Sequence, residues 1–191
     1  LSWDAEGGII DVEPGLTMHE LWQHTLPAGF WPAVVPGTGY PTVGGLVAMN
    51  VHGKNHYRMG GTGDHVLDLD LVTPSGQLLR CSREENAELF RAVIGGFGML
   101  GCVTRVRMKL KRVHSGALRV WQWSVPSIEA QFEAFEGCMD DDYFVSWVDC
   151  VNGTNPGRGQ LHRGRYYKEG EDPTPSFRIE DQAFPKTMMG V

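Results

Sequence analysis

Short apolar stretches separated by glycine- and proline-rich turns fill the first 115 residues, and their periods assign most of them. Gly8 to Glu13 reads as a strand closed by Pro14-Gly15. Thr17 and Glu20 form a capping box for a helix that turns Met18, Leu21 and Trp22 inward and stops at Pro27 to Gly29. Phe30 to Val35 is a second extended segment, and the apolar run Val43 to Val51 predicts a short buried helix whose first turn contains Gly44 and Gly45. Val66 to Thr73 and Gln77 to Ser82 flank Pro74-Ser75-Gly76 as a hairpin, and Ala87 to Ile94 is a helix stopped by Gly95-Gly96. Cys102 to Leu110 is a strand. Arg105, Arg107, Lys109 and Lys111 alternate with Thr104, Val106, Met108 and Leu110, the period of a half-buried strand with a solvated basic face.

The texture changes after Val113 to Gly116, where we place a domain boundary. Leu118 to Val125 is a tryptophan-bearing strand. Ser127 starts a helix whose apolar face is Ile128, Phe132 and Phe135, and Tyr143 to Cys150 is a further strand. Trp121, Trp123 and Trp147 read as packing residues. From Asn152 onward Gly, Pro, Arg and acidic residues show little period, which predicts poor order to the end of the chain.

Composition narrows the possibilities. With 41% hydrophobic and 21% charged residues the 191-residue chain has the make-up of a soluble globular protein, in a cytoplasmic or periplasmic setting, not of a disordered one. The net charge of −6 excludes nucleic acid as the main partner. Four scattered cysteines, Cys81, Cys102, Cys138 and Cys150, form neither a disulfide framework nor a zinc site and read as buried thiols. No apolar run reaches the length of a membrane span, and a start at Leu1-Ser2-Trp3-Asp4 suggests a piece of something longer.

Glycine, at 25 residues, is in excess, and the excess sits in discrete loops. The run from Pro36 to His56 holds Gly37, Gly39, Gly44 and Gly45, where a bare backbone lets amide groups approach an anion, and ends in His52-Gly53-Lys54-Asn55-His56. The combination points to a large anionic cofactor with a reaction centre beside it. A second glycine-rich turn, Gly95-Gly96-Phe97-Gly98-Met99-Leu100-Gly101, ends a helix and precedes a strand, the reverse of the order in a nicotinamide-binding fingerprint.

Pro36-Gly37-Thr38, Thr42-Val43-Gly44-Gly45, Ala48, His52 to His56, Gly63-Asp64-His65-Val66 and Gly95 to Gly101 stand in the order and approximate spacing of a known family. The chain resembles the FAD-dependent oxidoreductases of the vanillyl-alcohol oxidase and p-cresol methylhydroxylase type, and within them the decaprenylphosphoryl-ribose oxidase-like proteins. Trp147-Val148-Asp149-Cys150 and Gly157-Arg158-Gly159 extend the likeness into the second part.

The resemblance implies an α+β fold: a p-cresol methylhydroxylase-type FAD-binding domain with a mixed sheet and flanking helices over residues 1–115, lacking its N-terminal subdomain. Residues 116–191 would be the incomplete start of an antiparallel-sheet substrate or cap domain. It implies FAD as cofactor and a small polyol or sugar-like alcohol as partner. Gly37, Thr38, Thr42, Val43, Gly44 and Gly45 would contact the pyrophosphate and its neighbouring polyol, with Ala48 allowing close approach. His52 and Gly53 would lie along the flavin ring, and Gly98, Gly101 and the backbone of Val103 at the adenosine end. Lys54 matches a position that points into the substrate cavity. The chain departs from the pattern at Gly60-Gly61-Thr62-Gly63, where relatives commonly carry an aromatic residue, so the resemblance leaves that loop's packing undecided.

The chemistry implied is hydride removal from a CH–OH group while a base takes the hydroxyl proton, with His52 and Lys54 as the catalytic pair. On their own terms His52 and His56 also suit backbone hydrogen bonding. Their spacing suits zinc, but Gly53 breaks the helix a zinc pair needs, so no metal site is assigned. Lys54 alternatively reads as a solvated loop lysine. Asp64 reads equally as a turn cap and His65 as a loop hydrogen bonder, while Arg158 and Arg163 sit among glycines as surface arginines or contacts for an anionic group. Asp140-Asp141-Asp142 lacks the glycine and glutamate of a calcium loop and reads as a solvated turn. Two other functions compete: a truncated, non-catalytic flavin-binding or interaction module, and an FAD-dependent double-bond reductase of sterol type.

Overall fold

The computed structural model describes residues 2–151, 153 and 156–181. Its elements in chain order are β1 (Ser2–Asp4), β2 (Ile9–Val12), α1 (Met18–Thr25), β3 (Phe30–Trp31), α2 (Val43–Ala48), α3 (His56–Met59), β4 (Val66–Val72), β5 (Leu78–Ser82), α4 (Ala87–Val93), β6 (Cys102–Lys109), β7 (Lys111–Arg112), β8 (Leu118–Val125), α5 (Ile128–Glu136), β9 (Tyr143–Val148) and β10 (Gly159–Tyr166).

The first part is built on a five-stranded sheet in the order β1-β2-β6-β4-β5. Every neighbouring pair in it is antiparallel, where a mixed sheet was expected. The chain reaches its central strand β6 only after the β4–β5 hairpin and α4, so the pairing joins residues as distant as Val12 and Val106. On one face Ile10, Val12, Leu69, Leu71 and Val106 pack against Met18 and Leu21 of α1, Leu46 of α2 and Phe90 of α4. The Thr17–Glu20 capping box is formed in full, which satisfies the first amides of α1.

The opposite face of that sheet corrects a sequence expectation. Arg105 is no solvated side chain: its guanidinium donates to the carboxylates of Asp11, Asp68 and Asp70, the last at 2.9 Å through Nε. Asp68 also takes Arg80 at 3.3 Å and Arg107 at 3.5 Å. Burial pushes the Asp68 carboxyl up, but hydrogen bonds and charge from Arg105 and Arg80 hold it below its ordinary value.

The second part is an antiparallel sheet in the order β8-β10-β9. Its central strand β10 and the segment that follows correct the expectation of poor order after Asn152. Leu161 is fully buried, Phe177 and Ile179 pack beside Trp22, Leu26 and Val113, and the Gly116 amide donates to Ser176. Asn152, Thr154, Asn155 and residues 182–191 lie outside the described residues. The strand was illegible because glycine, histidine and arginine occupy most of its positions and only tertiary pairing fixes it. Helix α5 is also turned from its expected face. Buried Gln131 binds the Gly157 carbonyl and the Ser146 hydroxyl, while Phe132 is 64% exposed. Trp147, at 73% exposed, is not a packing residue, and Cys102 and Cys150 are exposed thiols.

The two parts are clasped by the acidic turn that sequence reasoning placed in solvent. Asp141 is buried and pairs with Arg165 at 3.1 Å and Arg163 at 3.6 Å, and Asp142 takes Lys111 at 2.6 Å and the Tyr166 amide at 2.9 Å. From α3, Tyr57 and Arg58 donate to backbone carbonyls of the same turn. Burial pushes the Tyr57 hydroxyl up to about 12, so it remains a donor.

Candidate functional site

The glycine-rich run splits into parts with different work. Its Pro36–Tyr40 turn is tethered by carbonyls: Gly39 O accepts the His19 amide at 2.9 Å and Pro41 O the Met18 amide at 2.9 Å. Among the described residues no acceptor faces the amides of Gly37, Thr38, Gly39 and Tyr40, and Gly37 and Thr38 are exposed. A Cβ on Gly37 would meet nothing within 4 Å. No packing demand within the described residues therefore accounts for that glycine.

The following turn is different. The Val43 and Gly44 amides donate to Leu16 O and Pro14 O, each at 2.8 Å, and the Gly45 amide to Thr42 Oγ1 at 3.2 Å. The Val43, Gly44 and Gly45 amides are thus spent on the protein and are not bare, while Thr42 contributes its hydroxyl and carbonyl as acceptors. Val43 lies in the core, and a Cβ on Gly44 would come within 2.7 Å of Pro14, so this glycine is there for packing.

Ala48, Gly98, Gly101 and Val103 do converge. The turn after α4 is pinned onto α2 by Gly95 N–H to Val47 O at 2.9 Å and Phe97 N–H to Ala48 O at 2.8 Å. These residues line one narrow cleft with Gly96 and Leu100, but it encloses only ≈ 10 Å³. That is about the volume of a single water probe, far too small to enclose an adenosine. The rim carries Phe97 and Met99, 68% and 82% exposed.

The loop from Val51 to His56 is held rigidly. Buried Asn55 donates to Ala33 O at 2.8 Å, and a Cβ on Gly53 would come within 2.8 Å of Val35 O. His52 bridges to Gly61, its Nδ1 lies 3.4 Å from Gly53 O, and its ring centroid is 5.0 Å from that of His56. Gly60 to Gly63, which depart from the sequence pattern, are tightly packed: Asp64 accepts the Gly61 amide at 2.8 Å and Asn50 the Gly63 amide at 2.9 Å. Asp64 is thus a turn cap, and His65 binds Met59 O at 2.8 Å. Arg158 pairs with Asp149 at 3.0 Å, which uses it locally. Among the described residues no cluster has the make-up of a metal site.

Gly37 and Lys54 meet across one cavity of ≈ 400 Å³ between the two parts, walled by Trp22, Trp31, Val35, Val113, Leu118, Tyr143 and Tyr166. An exposed Lys54 also borders a groove of ≈ 460 Å³ over the face of the second sheet, lined by Val120, Trp147 and His162. The walls are apolar and the polar groups few, the usual make-up of a small-molecule site. Gly37 and Lys54 are residues that the sequence singles out, whereas it does not single out the tyrosines or the tryptophan wall, because no local pattern marks residues joined only by the packing of the two parts.

Residues 1–82 match the family described as FAD binding domain. Over 177 residues the chain is 34% identical to decaprenylphosphoryl-beta-D-ribose oxidase of Mycolicibacterium smegmatis, covering 91% of this chain and 38% of that protein. It is 34% identical over 102 residues to cytokinin dehydrogenase 3 of Arabidopsis thaliana, covering 53% and 20% of the two chains. With cytokinin dehydrogenase 7 of Oryza sativa subsp. japonica the identity is 31% over 170 residues, covering 85% and 30%. The chain therefore spans well under half the length of these relatives. Among the described residues no helix is long and apolar enough to cross a membrane. The chain thus carries an FAD binding domain over residues 1–82 and is homologous over most of its length to FAD-linked oxidases of the p-cresol methylhydroxylase type, with FAD as the cofactor.

Proposed function

We propose that this chain carries the flavin-facing backbone and the reaction centre of an oxidoreductase that oxidises a CH–OH group of a sugar-like alcohol. The observation that carries the reading is the meeting of the unpartnered Gly37 turn and Lys54 across one apolar cavity. The residues fit the cofactor at this point: free amides and a glycine without neighbours suit a phosphate-bearing ligand. Gly37 and Thr38 would hold it, His52 and Gly53 would lie along its ring, and Ala48, Gly98, Gly101 and Val103 would contact its nucleotide end. When bound, FAD supplies the hydride acceptor.

The protein's own part is placement and charge. His52 lines neither the cavity nor the adjoining groove, but it stands on the same exposed loop as Lys54, from which its imidazole would take the substrate's hydroxyl proton. The Lys54 ammonium, at the border of the tryptophan-walled cavity, stabilises the negative charge that grows on that oxygen. The likeness to cytokinin dehydrogenases favours a second reading, an amine-bearing substrate. The FAD-loaded parent protein, kept free of oxygen, separates the two: decaprenylphosphoryl-β-D-ribose is expected to bleach the visible flavin absorbance and a cytokinin to leave it unchanged. Bleaching by the cytokinin alone would replace the alcohol reading with the amine one.

A further inference from the structure

The cavity contains a pair of phenols that the reaction above does not use. Tyr143, at the start of β9, and Tyr166, at the end of β10, place their hydroxyl oxygens 2.7 Å apart, and both line the space that Lys54 and Gly37 border. Two phenols joined by one hydrogen bond spend one proton on each other and have one left over. Tyr166 is committed to the clasp: its amide binds Asp142 at 2.9 Å and the Lys111 ammonium stands 4.1 Å from its ring centroid. Tyr143 borders the groove on the sheet face as well as the cavity, the same two spaces that Lys54 borders.

We infer that Tyr143 is the substrate-orienting residue of this cavity: Tyr166 donates to the Tyr143 oxygen, and the Tyr143 hydroxyl donates to an oxygen of the ligand. The ligand class follows from the walls: a molecule with an oxygen-rich head at Tyr143 and Lys54 and an apolar body against Trp31, Val113 and Leu118. Burial pushes both hydroxyls above their ordinary range, so the donated proton stays in place at neutral and mildly alkaline pH. The inference rests on the alcohol reading for the identity of the head group but not on turnover.

Its test is equilibrium binding of labelled decaprenylphosphoryl-β-D-ribose to the FAD-loaded parent protein, reduced beforehand with dithionite so that no turnover occurs. Tyr143→Phe is expected to weaken binding about tenfold, the loss of one buried hydrogen bond, and Tyr166→Phe roughly two- to threefold, because it frees the Tyr143 hydroxyl to turn. FAD content should not change, and the fall in melting temperature from breaking the phenol pair should be of similar size in the two variants. Equal affinity in wild type and Tyr143→Phe, no binding to the wild type, or a loss matched by falling FAD content would each overturn the inference. Should Tyr143→Phe fail to fold, an unchanged affinity in Tyr166→Phe overturns it instead. A wild type that binds this lipid but is not bleached by it, with affinity lost in Tyr143→Phe, would sink the oxidation reading alone.

Discussion

Replacing Arg105 with Met is expected to cost about 3 kcal/mol of stability at neutral pH, the lower end of what removing one partner from a buried ion pair costs. The Arg105 side chain is 29% exposed, which places the effect at that lower end, but Asp68 beneath it is only 5% exposed. Without the guanidinium, Asp11, Asp68 and Asp70 face one another across three neighbouring strands, with Arg80 and Arg107 left to neutralise Asp68 alone. Denaturant melts of the two proteins measure the gap.

The pH dependence has a definite sign. Asp68 titrates below its ordinary value of 3.8 in the folded protein, so its contribution is complete above that value and is lost as pH falls through the lower, folded one. In the Met variant acid instead relieves repulsion among the carboxylates. The difference between wild type and variant should therefore shrink below pH 3.8. A variant as stable as wild type at neutral pH would mean that the basic residues of β6 form a solvated face after all.

Replacing Lys54 with Met is expected to lower kcat/KM for flavin reduction by about 10²–10³, the usual cost of removing one fixed charge from a site where charge develops. FAD content and melting temperature should hold, because Lys54 is exposed and no ion pair involves it among the described residues. Lys54→Arg keeps the charge but not the compact ammonium and should recover part of the rate. Stopped-flow bleaching under anaerobic conditions reads both variants. Loss of FAD without loss of rate per bound FAD would reassign Lys54 from the reaction to cofactor binding.

What could be read from the sequence followed how local each signal is. The capping box at Thr17, the β4–β5 hairpin, the stop of α4 at Gly95 and the strands β6, β8 and β9 all came from neighbouring residues, and all stand in the structure. Gly37 and Lys54 stand out in the sequence because both sit in one continuous glycine-rich run, but that they border one cavity is visible only in the structure. What stayed hidden depends on partners far along the chain. β10 has no apolar rhythm yet pairs on both sides, and Gln131 rather than Phe132 is buried because it meets Gly157 and Ser146. Asp141 is clasped by Arg163 and Arg165 from a strand that was not foreseen. Even the glycine motifs needed coordinates to be sorted: Gly44 packs on Pro14, while Gly37 packs on nothing.

That contrast supplies the most direct measurement. A side chain at Gly37 has open space in the protein alone, so Gly37→Val should fold as wild type does, yet it fills the place where a ligand is held to lie against the backbone. FAD titrated into the apoprotein of the parent should bind the wild type at one equivalent per chain and bind Gly37→Val at least about tenfold more weakly, a difference of about 1.4 kcal/mol, with unchanged melting of the two apoproteins. Equal FAD affinity in the two proteins would contradict the placement of the cofactor at this turn.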